Sequence, residues 1–313
     1  MIVKRNFNPL KVFVYVWAEL LVTVVLASLV FVGYEIYQFK QIAIPFAPLG
    51  ILGSSIAFFL GFRNSASFAR WSQASNYWTQ IQNQSRIFAR LLITFVNSHA
   101  HTPTYKKEIA DNFVKSMIYR QLAFVNTLRL TLREQNSFQE IKPFLSKEDF
   151  ELLKIKSNKP SYLLKMQGTE IYKAMANGTL QGFDSFQLEG CLLQLSTQLA
   201  NCYEGIKTTP MPRQYDYFTR LFVRIFIYIF PFAMIETFAK GNTPLLLIPF
   251  SLLISFVFVI TEKIGTVNED PFENRIQDVP MTAICIDIER DLKELLDETT
   301  IPAKKELVDG YLF

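Results

Sequence analysis

The stretch AIPFAPLGILGSSIAFFLGFRNSASFARW, Ala43 to Trp71, decides how this chain folds. Its first 20 residues, Ala43 to Phe62, carry no charge. A helix rising about 1.5 Å per residue needs about that length to cross a hydrocarbon core of roughly 30 Å. The stretch then turns polar at Arg63-Asn64-Ser65 without a proline or a turn cluster, so the helix is expected to leave the membrane unbroken. Within the apolar part, Gly50, Gly53, Ser54 and Ser55 are small, while Phe58 and Phe62 are large and one turn apart. Ser54, Phe58 and Phe62 therefore share a face at i, i+4 and i+8. Such a stripe is either helix packing or, repeated about an axis, an apolar constriction that gates by dewetting.

Three more segments satisfy the same membrane criterion. Val12–Gly33 holds the single charge Glu19, Leu221–Ala239 holds Arg224, Pro231 and Glu236, and Pro244–Thr261 holds no charge. Short connections make two helical hairpins of these four spans. The apolar run from Val12 to Gly33 is too long for a cleaved signal peptide and reads as a retained span. Lys4, Arg5 and Lys11 precede the first span, Arg63 and Arg70 follow the second, Arg213 and Arg220 precede the third, and Lys263 follows the fourth. By the bias of basic residues toward the cytoplasm, both termini and the long middle region are expected there. Residues 63–220 and 262–313 are then cytoplasmic, and the whole of 1–313 reads as a single unit in a bacterial inner membrane. Glu19, Arg224 and Glu236 are costly in hydrocarbon, so each must pair, reach the interface or face an ion path.

The middle region reads as helical. Phe68, Trp71, Trp78, Ile81, Phe88, Leu91, Leu92 and Phe95 recur at helical spacing, which predicts one buried stripe. Further helices are expected over residues 105–134, 138–153 with Ser146 as N-cap, 169–176 and 185–206.

Composition excludes several classes. Half of the 313 residues are hydrophobic and only 19% charged, and a net charge of +4 without a basic aromatic patch gives no basis for nucleic acid as a partner. Three cysteines at long spacing fit a reducing compartment and argue against a disulfide framework or a zinc site. No phosphate loop, dinucleotide fingerprint or nucleophile elbow is present, so neither an enzyme nor a cofactor is expected. His99 and His101 are expected at a solvated helix end, with a metal pair as the alternative. The acidic run Asn268–Glu273 lacks calcium-loop spacing and reads as a solvated helix start.

The segments Gly61-Phe-Arg-Asn64 with Arg70-Trp71, Ala200 to Pro212 (ANCYEGIKTTPMP), Glu269-Asp-Pro-Phe272 with Asp278-Val-Pro280, and Ile286 to Leu292 together resemble the bestrophin family of ion channels, its bacterial branch in particular. The resemblance spans nearly the whole chain, in order. It implies an all-α homopentamer with four transmembrane helices per subunit, a large helical cytoplasmic region and one central pore. The second span would line an apolar neck, whose three positions fall on Ser54, Phe58 and Phe62; Ser54 departs from the family's bulky apolar residue. A second constriction at the cytoplasmic exit falls on Phe186. The calcium clasp of animal members is reduced here to Glu273–Asp278 with Arg275 intruding, so no bound metal is expected. The permeant partner would be a monovalent ion, sodium or chloride, crossing the lipid bilayer. Asp184 and Glu189 near the exit are expected to favour cations. A non-conducting membrane scaffold or sensor with a cytoplasmic partner is the alternative.

Overall fold

The computed structural model describes residues 1, 9–101 and 105–312. Lys4 and Arg5, used above for orientation, lie outside them, as does the side chain of Lys11. Among the described residues there is no β-strand, only an isolated bridge between Val308 and Tyr311. Among the described residues nine α-helices carry the fold: α1 (Pro9–Phe31), α2 (Phe46–Ser98), α3 (Lys107–Leu132), α4 (Lys147–Lys154), α5 (Lys159–Ala176), α6 (Gly182–Ala200), α7 (Arg213–Lys240), α8 (Leu247–Glu269) and α9 (Met281–Glu294).

The chain divides into two compact units. One contains α1, α2 as far as Trp71, α7 and α8. Four helical segments are long and apolar enough to cross a membrane, and these four helices supply them. α1, α7 and α8 pack closely on one another around Val16, Leu20, Val223, Phe226, Ile227, Phe230 and Val259. Only 17% of the most apolar window of α2 is buried within the chain, so its apolar surface must meet lipid or another copy. Pro231 sits inside α7 without ending it. α7 begins at Arg213 and α8 runs on to Glu269, each well past the boundary the hydropathy suggests. Polar side chains in those extensions stay in helical register, because partners within the bundle satisfy them.

The other unit holds Ser72–Thr209 and the chain from Pro271 onward. Its central element is α3, buried on every side from Gln121 to Leu130. Trp78, Ile81, Phe88 and Leu92 of α2 enter the same core with Leu163 and Ile171 of α5, Leu188 and Leu195 of α6, and Ile288 of α9. A polar ladder crosses this core: Gln121 donates to Ser85 Oγ (2.8 Å), and Gln167 donates to Gln121 Oε1 (3.0 Å). Ser146 caps α4 by accepting from the Asp149 N–H (3.1 Å), as its spacing predicts. The expected helix at 169–176 is the second half of α5, which starts at Lys159 behind the Asn158 cap. The expected helix at 185–206 is α6 continued by a π-helical segment, Asn201–Lys207.

Candidate functional site

The candidate pore surface is built on α2. Along it Leu49, Gly53, Ile56, Leu60, Arg63 and Ser67 are buried at alternating spacings of four and three residues. After Ser67 the rhythm resumes at Ala74, Trp78, Ile81 and Ser85 in the other unit. This is the narrow seam of a helix that buries one edge. At Gly53 an added Cβ would lie 2.7 Å from the Phe226 ring, so this glycine lets α2 approach α7.

On the opposite edge stand the residues predicted from sequence. Ser54 is exposed, Phe58 is 72% exposed and Phe62 75% exposed. They form one uncovered face, unlike Phe59, which is half-buried and stacks on Tyr215 with ring centres 6.1 Å apart. Ser54 is less polar than its name suggests, because its hydroxyl donates back to the Gly50 carbonyl (3.0 Å). Phe68, expected in the buried stripe, is 59% exposed and stacks on Trp71. Helical spacing admits more than one stripe on so long a helix, and the seam through Arg63 and Ser67 displaced it.

Behind the aromatic face lies a buried ionic network. Arg63 is 5% exposed. Its Nε and Nη2 donate to Glu269 Oε1 (3.0 and 2.7 Å), and Nη2 also reaches Asp216 Oδ1 (2.6 Å) and Thr266 Oγ1 (2.9 Å). Glu262 approaches Arg63 and Arg220 at 3.8 Å each, and Arg220 Nη2 holds Asp216 Oδ2 at 2.6 Å. Arg70 Nε donates to the Glu269 carbonyl (2.7 Å), and Arg213 faces Asp270 at 3.7 Å. Four arginines thus meet four carboxylates. Next to Arg63, Asn64 donates to the Thr261 carbonyl (2.9 Å), and a Cβ at Gly265 would lie 2.3 Å from Asn64 Oδ1. Glu269, placed by its sequence context in a solvated acidic run, is instead buried here. The charges met within the spans find partners too: Glu19 lies 3.5 Å from Arg224 and 3.7 Å from Lys263, and Glu236 pairs with Lys240 at 2.7 Å.

The other unit carries the candidate exit residues on α6. Phe186 is 73% exposed, on a face shared with Phe183 and Leu193. Asp184 is buried and committed: its Oδ2 accepts from the Gln181 N–H (2.9 Å), closing a capping box, and lies 2.6 Å from His99 Nε2. His99 is therefore not at a solvated helix end. Burial pushes the carboxyl of Glu189 up from its ordinary value, and its Oε1 packs against Gly168. Asp184 therefore does not stand as a free charge on the Phe186 face. Among the described residues no cluster of three or more metal-ligating side chains occurs. Glu273 pairs with Lys207 at 2.8 Å, and Asp278 Oδ2 accepts from the Arg275 N–H at 3.0 Å.

Sequence reasoning missed the Arg63 network and the His99–Asp184 pair. The first had a signal: Arg63 and Ser67 interrupt an otherwise apolar seam. The second had none, since its members lie 85 residues apart.

Four helices long and apolar enough to cross a membrane, the longest with an uncovered aromatic face, are the architecture of a helical membrane protein. The profile of the Bacterial/Fungal Bestrophin protein family matches residues 7–294, and the chain belongs to that family. It is 30% identical over 290 residues to the voltage-dependent anion channel-forming protein YneE of Salmonella typhimurium, covering 93% of this chain and 90% of that one. With YneE of Escherichia coli K12 the identity is 32% over 268 residues, 86% of this chain and 82% of the relative. The crystal structure of a bacterial bestrophin homologue from Klebsiella pneumoniae superposes with a TM-score of 0.81 at 26% identity, covering 91% of this chain and all of that one. Family and relatives indicate a channel rather than an enzyme.

Proposed function

We propose that this chain conducts small anions passively through a pore formed by five copies. Ser54, Phe58 and Phe62 form the neck, Phe186 forms the cytoplasmic exit, and residues 1–313 act as one protomer. The observation that carries this reading is the Phe58–Phe62 face, 72% and 75% exposed on a membrane helix whose other edge is buried. Leaving two phenylalanines uncovered forgoes about 1.5–3 kcal/mol each unless another surface meets them. Copies ranged about an axis would place these rings around a narrow apolar neck, where water cannot form a continuous column.

An apolar neck does not choose the sign of the ion. The expectation of cations rested on Asp184 and Glu189, and it finds no support. Asp184 is engaged by His99 and its own helix cap, burial raises the Glu189 carboxyl above its ordinary value, and the relatives are named for anions. The protein would sit in the bacterial inner membrane with both termini in the cytoplasm, following the basic residues at the span ends.

Reversal potentials in planar bilayers under a NaCl gradient test the reading. A shift toward the chloride potential is expected, and a shift toward the sodium potential overturns the anion assignment. Phe58→Ala and Phe62→Ala are expected to raise flux by about tenfold, as loss of a dewetted constriction would. Unchanged flux in both removes the neck assignment. Absence of flux with any ion favours the scaffold alternative.

A further inference from the structure

We propose that Arg63 is a positioning residue for the pore: its buried ion-pair network fixes the rotation of α2 that presents Phe58 and Phe62 to the passage. This rests on the neck assignment above.

Successive residues of a helix are offset by about 100°, so Arg63 points about 100° away from Phe62 and about 140° away from Phe58. Whatever holds Arg63 inward holds the two rings outward. α2 needs such a device, because α1, α7 and α8 pack backbone to backbone while α2 has no comparably close approach to them and meets them through Leu49, Ile56 and Leu60. Arg63 occupies a seam position where its neighbours one turn away, Leu60 and Ser67, are also buried. A charged residue there contradicts the local apolar pattern, and such conflicts mark functional positions. Its Nη2 reaches α7 through Asp216 and α8 through Glu269 at once, at 2.6 and 2.7 Å, and Nε adds a second bond to Glu269 at 3.0 Å. A lysine has one nitrogen on a flexible stem and cannot add the Nε bond that fixes the plane of the guanidinium. Beside it, Asn64 fits against α8 only because Gly265 has no side chain.

Turning α2 by one residue would bring Phe59 to the face that Phe58 holds. Cysteine accessibility reads this rotation directly, whereas a loss of stability alone does not move it. Phe58→Cys, Phe59→Cys and Phe62→Cys are made in the full-length reconstituted channel, each with Arg63 and with Arg63→Gln. The native Cys191, Cys202 and Cys285 are buried with their thiols pushed up, so the parent should resist a charged methanethiosulfonate reagent. With Arg63 present, positions 58 and 62 should be modified about tenfold faster than position 59. With Arg63→Gln that ratio should collapse, and Arg63→Lys should not restore it. A ratio unchanged by Arg63→Gln overturns the inference while leaving the neck standing. Inert cysteines at 58 and 62 beside a native Arg63 overturn the neck and this inference together. Should Arg63→Gln not assemble, Asp216→Asn removes one arm of the hold; it should shift the ratio the same way, and an unshifted ratio overturns the inference.

Discussion

Asp278 shows what one buried carboxylate does to stability. Its Oδ2 accepts from the Arg275 N–H while Oδ1 is buried without a partner, and burial raises its pKa above the ordinary value. The folded chain then holds the proton more tightly than the unfolded chain. That contribution is complete below the unfolded pKa and is lost as pH rises through the folded one. Asp278→Asn keeps an acceptor for Arg275 and removes the charge. It should raise the unfolding temperature at pH 7 and flatten the decline measured from about pH 4 upward. An unchanged slope would show that Asp278 is not the group responsible. Cys285, buried beside Arg129 and Arg133 with its thiol pushed up to about 12, should resist alkylation in the folded protein. Mass spectrometry after iodoacetamide treatment at pH 8 checks this, and rapid labelling would contradict the burial.

At the scale of elements, α6 separates two accounts of Asp184. If this residue serves the helix cap and His99, Asp184→Ala should cost about 1–2 kcal/mol in thermal or denaturant unfolding and leave the chloride-to-sodium permeability ratio unchanged. If it lines the exit as a free acid, the ratio should rise with little loss of stability. The elements themselves were largely legible in the chain. Apolar length marked the spans, Ser146 marked the start of α4, and the absence of a proline or turn cluster after Phe62 marked α2 as one helix of 53 residues. What could not be read were associations across distance. Glu269 lies 206 residues from Arg63, and nothing near it in sequence distinguishes a buried carboxylate from a solvated one. Phe68 failed for a different reason: at helical spacing, a large aromatic fits a packed stripe and an uncovered one equally well, and only neighbours decide.

At the scale of the whole molecule, two observations point beyond one chain. The membrane-crossing helices bury only 17–39% of their most apolar windows within the chain, and Phe183, Phe186 and Leu193 of α6 are uncovered as well. On the proposed five-copy pore, the mass of the detergent-solubilised complex should correspond to about five protomers of 36.2 kDa. A monomer would remove the central passage. The exposed face that carries Phe58 and Phe62, the proposed pore surface, was readable from sequence as a stripe. Its rear support was not, because it is assembled from α2, α7 and α8.

Ser54 gives the proposed neck a polarity that can flip. With its proton on the Gly50 carbonyl, the hydroxyl offers only lone pairs to the lumen, a collar of acceptors suited to water and unhelpful to a halide. To greet an anion, the proton must swing outward and abandon that carbonyl, at a cost of about 0.5–1.5 kcal/mol per hydroxyl. Each Ser54 would thus act as a small rotary switch at one end of the proposed neck.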